Sequence, residues 1–182
     1  MSRRRGVALL AGALTCGWMA VTACRPRQAP PPSVDQPVVV SSSGTMPIVL
    51  FFVAEDGRLQ RESREVPELP PSPAARVRLV LDELLAGSHT GLASPVPWAV
   101  TVQTVFVDRA GTAFVDFSAP PQPSVAGTSA ELAFVYAVVN SVVANGGGVS
   151  RVQLLFGGKE VTTFGNVDLS RPLPPGLDIV VP

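Results

Sequence analysis

The chain has a single histidine, His89, and two cysteines, Cys16 and Cys24, among 182 residues. That scarcity closes several chemistries at once. A transition-metal site draws on several His, Cys or carboxylate ligands, and His89 has neither a second histidine nor a neighbouring cysteine. It reads as a loop residue, and no metal or cofactor is expected. A Ser/His/Asp triad would have only His89 for its base, and the acids Asp116 and Glu131 have simpler explanations on a strand face and in a helix cap, so no enzyme is expected. Cys16 falls inside an apolar leader, which leaves Cys24 alone beyond it and excludes a disulfide framework. Charge is sparse at 15% of residues, with 14 basic side chains against 14 acidic ones. No basic surplus marks a nucleic-acid surface, so nucleic acid is not an expected partner. Aromatics make up only 6%. A stacking surface for glycans would rest on Trp98 and Tyr136, both equally accounted for by core packing.

What the chain does hold is apolar content, 46% of residues, and 19 prolines, most of them gathered into clusters at 26–37, 67–73, 120–123 and 172–175. The apolar content suits one domain with a core, and the clusters mark linkers and loops. The N-terminus has the form of an export signal: Arg3, Arg4 and Arg5, then no charge from Gly6 to Ala23. It ends in Val21-Thr22-Ala23-Cys24, which matches the bacterial lipobox. That pattern predicts cleavage between Ala23 and Cys24 and lipid attachment at Cys24, placing the protein on an envelope membrane and facing out of the cytoplasm. The competing expectation is an uncleaved anchor, since the uncharged run is close to the shortest that spans a bilayer. Loss of residues 1–23 removes three basic side chains and leaves 11 against 14 acidic ones, a net charge of −3. Residues 24–46 are Pro- and Ser-rich and form an expected tether, with Val38–Val40 as a lesser strand candidate.

The domain proper is expected over 47–170, with a tail at 171–182 whose Ile179 to Val181 suits an edge strand. Ile48 to Ala54 and Leu59 to Val66 flank Asp56-Gly57 and predict a hairpin. Its second arm alternates acids with Arg58, Arg61 and Arg64, the pattern of a solvated, mutually neutralising edge. Ser72-Pro73 starts a helix that carries Val77, Leu81 and Leu84 on one face and stops at Gly87. Val100 to Phe117 predicts a second hairpin around Asp108 to Gly111, with Ala113, Val115 and Phe117 on one face, as the middle of the domain. Thr128 and Glu131 form a capping box ahead of an apolar helix carrying Leu132, Val135, Val139, Val142 and Val143. Val149 to Phe156, Gly157-Gly158 and Lys159 to Phe164 predict a third hairpin. The result is an α+β class: one small domain, a mostly antiparallel sheet packed against two helices, in the order β-β-α-β-β-α-β-β.

This order and its local sequences resemble the GerMN domain of sporulation and spore germination proteins. The resemblance covers about residues 47 to 170. It is carried by Leu50 and Phe51 with Asp56-Gly57, Leu84-Leu85-Ala86-Gly87, Val105-Phe106-Val107 to Gly111, and Val115-Asp116-Phe117-Ser118. Glu131-Leu132 through Val139-Asn140-Ser141 and Val152-Gln153-Leu154-Leu155 to Gly158-Lys159 complete it. It implies a non-enzymatic module, often on a lipoprotein, that assists assembly of envelope complexes by protein–protein interaction or self-association. The alternative expectation is a lipoprotein that binds cell-wall glycan or another small ligand.

Overall fold

The computed structural model describes residues 44–96, 98–118 and 128–181. The leader, the Ala23–Cys24 site, Val38–Val40 and the proline loop at 119–126 lie outside the described residues. In chain order the elements are β1 (Met46–Val53), β2 (Leu59–Val66), α1 (Pro73–Leu85), β3 (Val102–Val107) and β4 (Thr112–Phe117). There follow α2 (Thr128–Asn145), β5 (Arg151–Phe156), β6 (Lys159–Glu160), β7 (Thr163–Phe164) and β8 (Val167–Asp168). The fold is α+β, as expected, with two helices and mixed sheets. Among the described residues no helix is long and apolar enough to cross a membrane.

Strands β3 to β6 form one sheet in the order β3-β4-β5-β6, while β1–β2 and β7–β8 are separate antiparallel pairs. The β3–β4 hairpin turns on Asp108, whose carboxylate accepts the N–H of Ala110 (2.9 Å) and of Thr112 (2.7 Å). Gly111 follows at φ +80°, and a β-carbon there would lie 2.7 Å from the carbonyl oxygen of Gly148. Only glycine suits both conditions. The hairpin as a whole is not the hub. Its second strand is: β4 pairs antiparallel with β3 and parallel with β5. The parallel pair follows from connectivity, because α2 spans the link between β4 and β5 and a crossover of that kind returns the chain in the same direction.

Helix α1 forms where its signals sit. Ser72 caps it, accepting the Ala75 N–H at 3.4 Å, Pro73 takes the first turn, and Gly87 follows the C-terminus at φ +94°. Val77, Val80, Leu81 and Leu84 are its buried face. Helix α2 contacts α1, β1, β5 and β8. It is therefore buried around most of its circumference, with Phe134, Val135, Val138, Val139 and Val142 fully enclosed.

Two expected strands come out differently. The predicted return over 159–164 pairs with β5 only through Lys159 and Glu160. The chain then turns inward to bury Phe164 and builds the β7–β8 ribbon around Gly165 at φ +55°. The first hairpin is not an exposed arm. Ile48, Leu50 and Phe52 enter the main core, while Phe51 and Leu59 form a second cluster with Ala133, Ala137 and Val180. The tail joins that second cluster: the Leu59 N–H donates to Ile179 O (2.8 Å) and the Val181 N–H to Leu59 O (2.7 Å).

One edge is closed in an unusual way. Among the described residues the outer side of β1 has no strand partner: Ala93 exchanges two backbone hydrogen bonds with Val53 at its end (3.0 and 2.9 Å), and polar side chains of α2 take the place of a strand along the rest. Asn145 accepts the Val49 N–H (2.9 Å) and donates to Val49 O (2.7 Å), and Ser141 Oγ accepts the Phe51 N–H (3.1 Å). The polar residues in this apolar helix are thus the partners of an otherwise unsatisfied backbone.

Candidate functional site

Among the described residues no group of three or more His, Cys, Asp or Glu side chains is placed to hold a metal ion. His89 lies in the loop after α1, and it is its backbone that is engaged, donating an N–H to Glu62 Oε1 at 3.1 Å. Ser88 beside it gives its hydroxyl proton to Glu62 Oε2 (2.6 Å). Among the described residues the two side chains form no hydrogen bond with each other. Glu131 is 6% exposed, and its carboxylate accepts the Asn166 N–H at 3.3 Å from inside the β7–β8 turn. Gly165 packs directly on that carboxylate.

The most concentrated polar chemistry is on β2, where the sequence predicted a solvated edge. Glu62 and Arg64 are instead buried. They lie two residues apart, hence on one face of the strand, and that face also carries buried Val66. Glu62 accepts from Arg64 Nη2 (2.7 Å), from the N–H groups of His89 and Thr90, and from the hydroxyls of Ser88 and Thr90. Burial pushes its pKa up, but the bonds from Ser88, Thr90, His89 and Arg64 together prevail and hold it at about 2. Arg64 also donates to Glu83 Oε2 and to the carbonyls of Glu83 and Gly87, with its guanidinium 5.8 Å from the centre of the Phe52 ring. Arg64 Nε is buried with no hydrogen-bond partner among the described residues. The pair ties β2 to the last turn of α1 and to loop 88–90. That is a lock on the fold, with both carboxylate oxygens already occupied.

The candidate glycan aromatics separate. Trp98 packs into a cluster, its ring 4.9 Å from Phe134 and 5.4 Å from Phe164. Phe117 and Phe156 continue that cluster. Tyr136 is half-buried on α2 and faces a groove of about 650 Å³.

The exposed apolar surface is elsewhere. β3 is the terminal strand of its sheet, and among the described residues no strand pairs with its outer side. Phe106, next to its C-terminal end, is 58% exposed and lies opposite Phe114 on β4, with ring centres 6.1 Å apart. The strand carries no charged residue to discourage pairing. Sequence alternation marked the buried face of this hairpin and left Phe106 without a role.

The fold matches known structures. The first GerMN domain of the sporulation protein GerM from Bacillus subtilis superposes with a TM-score of 0.56 at 19% identity, over 71% of this chain and 98% of that one. The tandem GerMN domains of the same protein give 0.52 at 19% identity, over 72% of this chain but only 46% of theirs. At such identities the likeness is one of fold. No curated protein matches the chain. A sequence model of the Germane family, described as sporulation and spore germination, matches residues 49–162, which is more than half of the chain and runs from within β1 past the end of β6. The chain therefore belongs to this family and carries a GerMN-type domain.

Proposed function

We propose that this protein is a lipid-anchored, non-catalytic assembly module of the cell envelope, which pairs with another protein through the outer edge of β3. In a spore-forming organism that role falls within sporulation or germination. The observation that carries the proposal is the uncharged strand Val102–Val107, whose outer edge pairs with no strand among the described residues, with Phe106 58% exposed on it. An edge of this kind offers main-chain hydrogen bonds for affinity and an aromatic anchor for specificity. Family membership and the lipobox at Val21 to Cys24 support the setting. Acylation adds about 0.8 kcal/mol per buried methylene, and lasting attachment needs more than one chain.

Two experiments test this. Crosslinking of envelope fractions followed by pull-down should recover a defined protein partner, and Phe106→Glu should abolish that recovery while leaving the fold intact. Failure to recover a partner, with the protein monomeric at high concentration, counts against the interaction. Separately, a palmitate analogue should label the wild type and not Cys24→Ala. Equal labelling, or unchanged processing of that variant, removes the lipid anchor from the proposal.

A further inference from the structure

The groove at Tyr136 differs in kind from the β3 edge and lies on other elements. Its walls are α2, through Leu132 and Tyr136, the start of β5, through Arg151, and the segment 166–174, which contributes Arg171. Both arginines are exposed, and neither forms an ion pair among the described residues. Of the other described arginines, Arg58 and Arg78 pair with Asp56 and Asp82, Arg64 pairs with Glu62 and Glu83, Arg76 binds Pro70 O and Arg61 lies over the Phe51 ring, while Arg109 stands exposed in the β3–β4 turn, away from the groove. In a chain that is net −3 beyond residue 23, two guanidinium groups against the single carboxylate of Asp168 make this groove a local reversal of charge.

The groove is also held in shape. Asn140, only 2% exposed, donates to Gly176 O and accepts the Gly176 N–H, both at 3.0 Å. Gly176 lies against the Tyr136 ring so closely that a β-carbon would stand 2.5 Å from it, which fixes the ring. Leu173 exchanges two backbone hydrogen bonds with Val152 (2.9 and 2.8 Å), and Gln153, 4% exposed, donates to Leu169 O (2.8 Å). The wall carrying Arg171 is therefore pinned on both sides before any ligand arrives, the condition under which binding loses least to ordering.

We infer that this groove binds a carboxylate-bearing pyranose, with the sugar ring against Tyr136 and its carboxylate held by Arg151 and Arg171. Guanidinium groups match carboxylate oxygens in geometry as well as charge. The phenol ring offers the flat apolar surface that one side of a pyranose presents. The volume suits a short glycan. Asp168 lies on the same groove, but its carboxylate accepts the Ser170 N–H (2.9 Å) and its acidity is raised by that residue, with a smaller contribution from Arg171. It thus sets the polarity of the site: its removal strengthens the hold on an anion.

Titration calorimetry of the detergent-solubilised full chain tests this with three probes: a disaccharide containing N-acetylmuramic acid, digalacturonate, and neutral diacetylchitobiose. At least one acidic disaccharide should bind saturably and about tenfold or more tighter than the neutral one. Preference for the muramic sugar identifies cell-wall glycan as the source, and preference for the uronate an acidic polysaccharide. Arg151→Gln and Arg171→Gln should each weaken binding about fivefold or more, and Asp168→Asn should strengthen it. Circular dichroism confirms that each variant is folded. No saturable binding by either acidic probe, equal binding of the neutral sugar, or indifference to both arginine substitutions overturns the inference. None of these outcomes bears on the β3 edge, which is tested by Phe106→Glu.

Discussion

The Glu62 carboxylate and the Arg64 guanidinium lie 2.7 Å apart on one strand, with 1% and 4% of their side-chain surfaces exposed. Breaking such a pair by removing one partner leaves the other charge buried without compensation, at a cost of about 3–5 kcal/mol. Glu62→Ala and Arg64→Ala should each lower unfolding stability by that order in urea titration. The double replacement Glu62→Leu with Arg64→Met should lose clearly less than the sum of the singles. Additive losses would mean that the two side chains act independently.

The same pair sets an acid limit. The folded-state pKa of Glu62 is about 2, below its ordinary value of 4.5, so its ionised form favours the folded state. That stabilisation is complete above about pH 4.5 and is lost as pH falls towards 2, a total on the order of 3 kcal/mol. Stability measured from pH 6 down to about 2 should fall across this window in the wild type, and the slope should flatten in Glu62→Gln. Identical slopes would assign the acid sensitivity to other carboxylates.

The edge of β1 depends on α2 in a way that single substitutions expose. Ser141→Ala leaves the buried Phe51 N–H without its acceptor, at about 1–3 kcal/mol. Asn145→Ala removes both bonds to Val49 and should lose a similar amount. Amide exchange provides the sharper measurement: protection at Val49 and Phe51 should fall in these variants while that of β4 is retained.

On β4, Val115 and Phe117 are fully buried and Asp116 points to the other face. Val115→Asp or Phe117→Asp should unfold the domain, because an unpaired charge would enter the core. Asp116 is not idle, since its Oδ1 accepts the Gly158 N–H (2.8 Å) from the turn after β5. Asp116→Asn keeps that acceptor and should melt like the wild type, while Asp116→Ala should lose about 1 kcal/mol. Thermal melts of the four variants order them directly.

How much of this was legible in the sequence depends on how local the signal was. Helix α1 could be placed because Ser72, Pro73 and Gly87 carry their instructions within a turn of where they act. The inner face of β4 followed from strict alternation at Ala113, Val115 and Phe117. The parallel β4–β5 pair was hidden, because direction is set by the crossover and not by either strand. Glu62 and Arg64 were misjudged for a related reason. Alternating acids and arginines look solvated until Glu83, Gly87 and the 88–90 loop, some 20 to 28 residues away, close over them. Their shared parity with Val66 was the available hint. Asn140, Ser141 and Asn145 are polar residues in an apolar helix, but their partners lie far along the chain and nothing local names them. The Tyr136 groove needs Arg151 and Arg171 from separate segments, and no local pattern joins them.

The bond between Asn145 and the Val49 backbone joins residues 96 positions apart. During synthesis, the first hairpin emerges long before the side chain that completes it. For all that time its edge at Val49 and Phe51 is an open template, vulnerable to pairing with a neighbouring chain. Closure becomes available only once the whole of α2 has emerged, so maturation of the earliest element waits on one of the later ones. Such separation slows folding. It also makes the last turn of α2 a checkpoint: a chain truncated before Asn145 holds every residue of its first hairpin and lacks the means to finish it.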